Sequence, residues 1–340
     1  MLDTKEFARF LSMEDELLLT PWHELSPGQI GMVAERVFAV VQDSFEDLNG
    51  KREDLEMWVA AGFLGEIGGT VESPRSVDTL VATTLLRKRY AANLARHAEL
   101  SAEVMLAEAE APEAFCQRVQ SLALSSRCSP SHPIFQFLRD EADFESLSKV
   151  LWSENLCDLN FVNILVYLLF GLNGPEGKEI SENFFDEIGR GDFTQAHAKL
   201  RRDMMQNIGL DLSQERELSG KYLREEFEHF NAYFVNGSER SLNGRLIGML
   251  FATEFLVPRQ LDAVVAGWRR VGLADGQMVY LLSHVVGDVE HGEGWARRVI
   301  SPMVRGNLHL QREMLIGAQQ HIEILTRLYD RLLILLTGKT

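Results

Sequence analysis

The stretch MVYLLSHVVGDVEHGEGW, residues 278–295, decides how this chain is expected to fold. An α-helix turns about 100° per residue, so positions i, i+4 and i+7 lie within about 60° of one another. His284, Asp288 and His291 have this spacing and therefore share one stripe of a predicted helix. Most residues around the stripe are apolar, and polar groups buried on an apolar face need partners. The stretch predicts a buried helix that presents three metal-ligand-type side chains along one side.

The helical period extends to nearly every other apolar segment of the chain. In residues 26–45, apolar residues recur every third or fourth position after a Ser-Pro start that suits a helix N-terminus. Alternation over four or more residues, the signal for a β-strand, is almost absent. The predicted helices span about 26–45, 53–64, 76–109, 134–141, 144–172, 176–188, 192–207, 214–235, 240–255, 258–271, 274–300 and 307–336. We therefore predict an all-α protein, a helical bundle of about seven core helices with an N-terminal helical extension.

A loop rich in Ser, Pro and Cys, SSRCSPSHP at 125–133, is the best candidate for a domain boundary. At 340 residues the chain has room for one large domain or two ordinary ones. We expect an N-terminal accessory region over 1–130 and the main helical domain over 131–340.

The charge and composition exclude some classes of partner. The net charge is −16 at pH 7, and an acidic surface repels both nucleic acid and anionic membranes. The longest apolar run, FVNILVYLLFGL at 161–172, is too short to span a bilayer and predicts a buried helix. We expect neither a nucleic-acid nor a membrane partner. A homodimer is the expected assembly only because most soluble oligomers are dimers.

The cysteines and the N-terminus indicate the compartment. Cys116, Cys128 and Cys157 form no CxxC pair and no even framework, as suits a reducing environment. The first residues, MLDTKEFARF, lack the basic stretch followed by an apolar one that marks a signal peptide. Both features predict a cytoplasmic protein.

Three further predicted helical segments carry carboxylates or imidazoles that can face the same interior. Glu154 and Asp158 are spaced i, i+4 ahead of the most apolar helix, Glu187 and His197 flank a glycine-bearing bend, and Glu254 lies among apolar residues. A mixture of imidazoles and carboxylates suits iron or manganese. Carboxylate-rich pockets inside helical bundles hold pairs of irons. Taken one at a time, each of these residues is explained nearly as well by helix capping or a solvated surface.

Other interpretations stay open on the residues alone. REEFEHF at 224–230 contains Glu226-x2-His229, the spacing used by ferritin-like di-iron bundles, although its nearest second copy, Asp288-x2-His291, is imperfect. A metal-free helical binding or scaffold protein, and a mononuclear iron or haem enzyme, are further alternatives.

The ordered set of motifs from about 134 to 330 resembles the haem-oxygenase-like di-iron oxidases, bacterial iron-containing redox enzymes that do not bind haem. The first motif is the E-x3-D-x2-F pattern of 154–161, and the second is ENFFDEIGRGDFTQAH at 182–197. The later motifs are Glu254 with Pro258 and Arg259, the H-x3-D-x2-H helix followed by Trp295 and Pro302, and Gly317-Ala318 followed by Tyr329. Their order and separations are similar to those of the family.

The resemblance implies a haem-oxygenase-like fold and two iron ions with O₂ as co-substrate. In such enzymes two Fe(II) ions reduce O₂ through a peroxo-diiron intermediate, which oxidises a small metabolite bearing an amine or a carboxylate, usually amino-acid-like. Known outcomes are desaturation, C–C cleavage, cyclisation and N-oxygenation, usually in specialised metabolite biosynthesis. The implied metal ligands are Glu154, Asp158, Glu187, His197, Glu254, His284, Asp288 and His291.

Two points about the site stay undecided from the sequence. Either Glu154 or Asp158 can be the ligand from the first core helix, and the longer side chain favours Glu154. Four arginines can hold a substrate carboxylate, although surface positions are the simpler interpretation of each. They are Arg201, Arg202, Arg259 and Arg269.

Overall fold

The computed structural model describes residues 4–13, 24–46, 52–67, 84–94, 106–212, 218 and 220–338, without the side chains of 286–290. Every regular element in these residues is helical, which confirms the predicted all-α class. The helices are α1 (Thr4–Leu11), α2 (Pro27–Phe45), α3 (Arg52–Ile67), α4 (84–94), α5 (Pro112–Ser125), α6 (Pro133–Asp140), α7 (Phe144–Ser153), α8 (Asn155–Asp158), α9 (Phe161–Leu169), α10 (Pro175–Glu187), α11 (His197–Asn207), α12 (Arg224–Ser238), α13 (Asn243–Arg270), α14 (Val279–Gly294), α15 (Ser301–Val304) and α16 (Leu308–Thr337). None of the helices in the described part of the chain is long and apolar enough to cross a bilayer.

The described helices form two compact units. One comprises residues 1–98 with 215–235, and the other comprises 99–214 with 236–340. The division at residue 130 stays a prediction about domain organisation. The candidate metal ligands all belong to the second unit.

The long helix predicted over 76–109 is wrong at its C-terminal end, because residues 106–109 are not helical. The backbones of Leu106 and Glu110 form hydrogen bonds with side chains of α16 instead. The Arg312 guanidinium donates to the Leu106 carbonyl, with its Nη2 3.0 Å from the oxygen. The Gln311 side chain accepts from the Glu110 N–H at 2.9 Å and donates to the Glu110 carbonyl at 2.8 Å. These tertiary hydrogen bonds satisfy backbone groups that a helix would otherwise use.

The segment predicted as a single helix over 144–172 is divided into α7, α8 and α9. The Asn160 side chain donates to the Leu156 carbonyl at 2.9 Å, which satisfies a backbone acceptor at the end of α8. Asparagine favours such local bonds over continued helix. As a result Glu154 and Asp158 lie at the two ends of a single short turn, between α7 and α9.

The division predicted between helices over 240–255 and 258–271 is also wrong, because α13 runs through Pro258 without interruption. A proline has no N–H, so the helix lacks the bond that would join residue 258 to the Glu254 carbonyl. Leu256, Pro258 and Leu261 are all buried. Burial of apolar side chains on both sides of the proline therefore holds the helix together despite the missing bond.

Helices α13 and α16 form the centre of the second unit and run parallel to each other. Three side-chain contacts between them join residues separated by 68, 68 and 69 positions, so the two helices advance in the same direction. The pairs are Arg245–Glu313, Thr253–His321 and Gln260–Tyr329. His321 is 1% exposed, so its ring and Thr253 form a buried polar link, with 3.1 Å between His321 Nε2 and Thr253 Oγ1.

Two glycines let these helices approach until their backbones touch. A β-carbon on Gly248 would lie 1.9 Å from the Met314 carbonyl oxygen, and one on Gly317 would lie 1.9 Å from the Arg245 carbonyl oxygen. Neither space can hold a methyl group unless a helix backbone moves. The two glycines thus set the spacing of the central helix pair.

We expect Gly317→Ala to lower the free energy of unfolding by about 2 to 3 kcal/mol, because the added methyl group overpacks a backbone contact. Gly276→Ala, in the same unit, should change it little, because a β-carbon there meets nothing within 4 Å. Chemical denaturation of both variants and the wild type measures these changes in the free energy of unfolding. Equal stability of the two variants would contradict the close approach of α13 and α16.

The first unit contains a buried ion-pair network centred on Glu56 of α3. Tyr90 Oη donates to Glu56 Oε2 at 2.7 Å, and Asn231 Nδ2 donates to the same oxygen at 2.8 Å. Arg52 Nη2 lies 2.6 Å from Glu56 Oε1, and Arg52 Nε lies 3.8 Å from Glu228 Oε1. Burial raises the pKa of Glu56 to about 7 against the attraction of Arg52, and the nearby Glu228 raises it further. The network joins α3, α4 and the first part of α12.

The raised pKa of Glu56 predicts a pH-dependent contribution to stability. Between its ordinary pKa of 4.5 and about 7, the folded state holds a proton that the unfolded state releases. The favourable contribution is therefore complete below the ordinary value and is lost as the pH rises through 7. Relative to Glu56→Gln, the free energy of unfolding of the wild type should fall by at most about 3.5 kcal/mol over this range, since the pKa rises from 4.5 to about 7 and one pKa unit is about 1.4 kcal/mol.

Hydrogen–deuterium exchange of peptides covering α3, corrected for the intrinsic pH dependence of exchange, measures this loss. Glu53→Gln, at an exposed position of the same helix, is the matched control and should follow the wild type across the range. A wild-type profile parallel to that of Glu56→Gln would count against a raised pKa.

Candidate metal centre

A sharp bend brings Glu187, the last residue of α10, to His197, the first residue of α11. Gly189 has φ +84°, and a β-carbon there would lie 2.2 Å from the Asp192 carbonyl oxygen, so only glycine fits. The bend places Glu187 Oε1 3.0 Å from His197 Nδ1. The expectation that these residues flank a glycine-bearing bend is confirmed.

His284 of α14 joins this pair. Its ring centroid lies 4.5 Å from that of His197. Ligand atoms of Glu187, His197 and His284 all lie within 4.8 Å of one another, the only such group of three or more His, Cys, Asp or Glu among the described residues. One carboxylate and two imidazoles at this spacing form a donor set that suits a divalent transition metal.

The orientation of the His284 ring is determined by its own helix. His284 Nδ1 lies 2.8 Å from the backbone carbonyl of Tyr280. A carbonyl only accepts hydrogen bonds, so the proton of the neutral imidazole sits on Nδ1 and the lone pair sits on Nε2. Metal-binding histidines have this arrangement, in which one nitrogen donates to a carbonyl or carboxylate and the other ligates. His284 is therefore oriented for coordination through Nε2.

Asp158 contacts a cation and a phenol. Tyr280 Oη donates to Asp158 Oδ2 at 2.7 Å, and Arg201 Nη1 donates to the same oxygen. Burial raises the pKa of Tyr280 well above its usual value, and the charge of Asp158 raises it further, so the phenol stays protonated and donates. Asp158 is thus part of an ion pair next to the candidate ligands.

Arg201 is 0% exposed, which corrects its interpretation as a surface residue. Its guanidinium also donates to Asn155 Oδ1 at 3.3 Å and to the Leu151 carbonyl. Its charge compensates Asp158 inside the protein, so it is not placed to hold a substrate carboxylate. Sequence reasoning missed it because the surrounding run HAKLRRDMM is too polar to predict a buried arginine.

Glu154 lies on the other side of the same short turn. Burial raises the pKa of Glu154 to about 7, the neighbouring Asp158 adds to the rise, and Arg201 opposes it. A carboxyl in such surroundings gains from a nearby positive charge, which a metal ion supplies.

His291, one of the predicted ligands, lies close to a carboxylate that sequence reasoning did not select. His291 Nε2 is 3.2 Å from Asp186 Oδ2, and Arg190 Nη2 donates to the same oxygen at 2.8 Å. Partial burial works to raise the pKa of Asp186, but its bonds with Arg190 and His291 outweigh this and hold the pKa below the usual value. Asp186 stays ionised beside the imidazole. Its place in the ENFFDE motif, next to Glu187, was the signal that could have identified it.

Two further predicted ligands, Glu254 and Asp288, are located by the helices that carry them. Glu254 of α13 packs against Gly292 of α14. A β-carbon on Gly292 would lie 3.5 Å from Glu254 Cβ, which is ordinary van der Waals contact. This contact sets Glu254 beside the residue that follows His291. The Asp288 side chain lies outside the described residues, although its backbone belongs to α14.

The ferritin-like pair has other contacts. Glu226 accepts a hydrogen bond from the Leu223 N–H at the start of α12, and the His229 ring packs on Tyr233 at 5.1 Å between centroids. In the described residues the structure gives the ferritin-like interpretation no support.

Comparisons with known proteins indicate the family and the fold of this chain. A family model described as an iron-containing redox enzyme matches residues 149–325, just over half of the chain. A search of curated proteins found no match. The solved structures that resemble the chain include a CADD-like protein of unknown function from Nostoc punctiforme, with a TM-score of 0.53 and 15% identity. The likeness covers 66% of this chain and 98% of that one, and it shows the fold.

The matched residues include all eight predicted metal ligands, from Glu154 to His291. The fold is the all-α, haem-oxygenase-like bundle that the sequence predicted. On the extent of the family match, this chain belongs to the iron-containing redox enzymes of the haem-oxygenase-like superfamily.

Proposed function

We propose that the chain is a non-haem di-iron oxidoreductase that uses O₂ to oxidise a small, amino-acid-like metabolite bearing an amine or a carboxylate. The observation that carries the proposal is the convergence of Glu187, His197 and His284 within 4.8 Å. Membership of a family of iron-containing redox enzymes supports iron as the metal. O₂ as co-substrate and the class of metabolite rest on the resemblance of the motifs.

The donor set fits a pair of ferrous ions by its charge. The proposed ligands include four carboxylates, which are Glu154, Glu187, Glu254 and Asp288, together with three neutral imidazoles. Two Fe(II) ions would bring the site to neutrality, and a neutral site is the least costly to bury. Asp158 is left out of this set because Arg201 already balances its charge.

Bound iron would supply the binding and reduction of O₂, and the protein's own side chains perform the remaining tasks. Tyr280 holds the proton of His284 on Nδ1 through its carbonyl and so presents Nε2 to the metal. Asp186 forms an ion pair with Arg190 and contacts His291 Nε2, so it orients the His291 ring. Carboxylates from α10 and α13, Glu187 and Glu254, would help to hold the metals and balance their charge, and the imidazoles would add neutral nitrogen ligands. The outcome on the substrate is desaturation, C–C cleavage, cyclisation or N-oxygenation, according to which bond faces the oxidant.

After anaerobic loading with Fe(II) and removal of excess metal, we expect about two irons per chain in a colorimetric chelation assay. His284→Ala and Glu187→Ala should each lower this stoichiometry, because each removes a direct ligand. His309→Ala, which removes an exposed histidine, should bind as much iron as the wild type. Loaded wild type should then consume O₂ and give a transient visible absorption in stopped-flow measurements.

The alternatives give different results in the same assays. Iron well below two per chain together with no visible transient would exclude the di-iron proposal and favour a metal-free scaffold. A Soret band after addition of haem would favour a haem enzyme. A screen of amino acids for faster decay of the transient absorption identifies the substrate.

A further inference from the structure

We propose that Asp158, Arg201 and Tyr280 form a positioning triad that holds His284 in its metal-binding orientation, and that Asp158 is not itself a metal ligand. The inference rests on the proposed metal centre and adds to it three residues that act through His284. It also assigns the ligand of the first core helix to Glu154.

The first step of the argument is that Tyr280 holds His284 in two ways. Its carbonyl lies 2.8 Å from His284 Nδ1, and its ring lies 4.7 Å from the imidazole between centroids, tilted by 60°. The same ring meets His197 edge-on at 6.4 Å. Tyr280 thus forms a wall against both imidazoles, and its carbonyl determines which His284 nitrogen faces the metal.

The second step is that Tyr280 is itself fixed at its far end. Its hydroxyl donates to Asp158 Oδ2 at 2.7 Å, and the Arg201 guanidinium lies over its ring, 5.1 Å from the centroid. Arg201 binds Asp158, Asn155 and the Leu151 carbonyl at once. Arg201 therefore links α11 to the junction of α7 and α8. The bond from Tyr280 to Asp158 links α14 to the same junction.

The third step concerns the role of Asp158. One of its oxygens accepts bonds from both Arg201 and Tyr280. Coordination of iron through that oxygen would compete with Arg201, and leaving this buried arginine without its partner is costly. Glu154 lies four residues earlier on the same short turn. Among the described residues, no lysine or arginine forms an ion pair with it, whereas Arg201 pairs with Asp158. The two carboxylates are thus divided between one that binds metal and one that holds the tyrosine.

The experiment titrates the apoprotein with Co(II) under anaerobic conditions and follows the visible bands, which report the ligand field and need no O₂ chemistry. Tyr280→Phe keeps the ring and the carbonyl but removes the bond to Asp158. We expect two metals per chain still to bind, with about 10- to 100-fold weaker affinity at the site of His284 and a shifted Co(II) spectrum. Tyr329→Phe is the matched control, because it also removes a buried tyrosine hydroxyl bond, to Gln260 at 3.3 Å, and should leave affinity and spectrum unchanged.

Two further variants test the division between the carboxylates. Asp158→Asn should keep the stoichiometry at two and weaken the affinity, whereas Glu154→Gln should lower the stoichiometry. Circular dichroism and unfolding curves select variants that are folded before titration. If Asp158→Asn misfolds because Arg201 loses its counter-charge, Tyr280→Phe by itself carries the test.

The possible failures are distinguishable. A wild type that binds no metal overturns the proposed function and the triad with it. A wild type that binds two metals, with Tyr280→Phe identical to Tyr329→Phe in affinity and spectrum, overturns the triad and leaves the metal centre intact. Loss of one whole metal in Asp158→Asn but not in Glu154→Gln overturns the assignment of the carboxylates.

Discussion

The interaction on which the second unit depends is the compensation of negative charge inside a helical bundle. Partly buried carboxylates lie on several helices of this unit, and an ionised carboxylate that loses contact with water needs a cation. Arg201 provides one cation from within the protein, and it balances Asp158. The remaining carboxylates, among them Glu154 with its raised pKa and Glu187 beside His197, are a set that bound metal would balance.

Glycines at a few positions set how closely the helices of the second unit approach one another. Gly248 and Gly317 let α13 and α16 touch along their backbones. Gly189 makes the bend that returns α11 to the end of α10. Small or absent side chains at a few positions thus set distances on which the candidate metal centre depends.

Much of the fold could be predicted because it rests on local periodicity. The helical period predicted the all-α class, and the family assignment is confirmed by the match over 149–325. The errors lie where tertiary contacts outweigh local preference. Pro258 predicts a break, yet buried apolar neighbours keep α13 continuous. The end of the helix predicted over 76–109 is non-helical because Arg312 of α16 binds the Leu106 carbonyl and Gln311 binds the adjoining Glu110 backbone.

The sequence by itself determined which side chains are available and which of them share a helix face, because spacing within a helix is a local property. His284, Asp288 and His291 are in phase whatever surrounds them. Only the tertiary structure decided the partners, since these come from helices distant in sequence. It brought Glu187 and His197 to His284, paired Asp186 with His291, and buried Arg201 against Asp158. Charge compensation depends on distances between helices, and no pattern along one helix contains them.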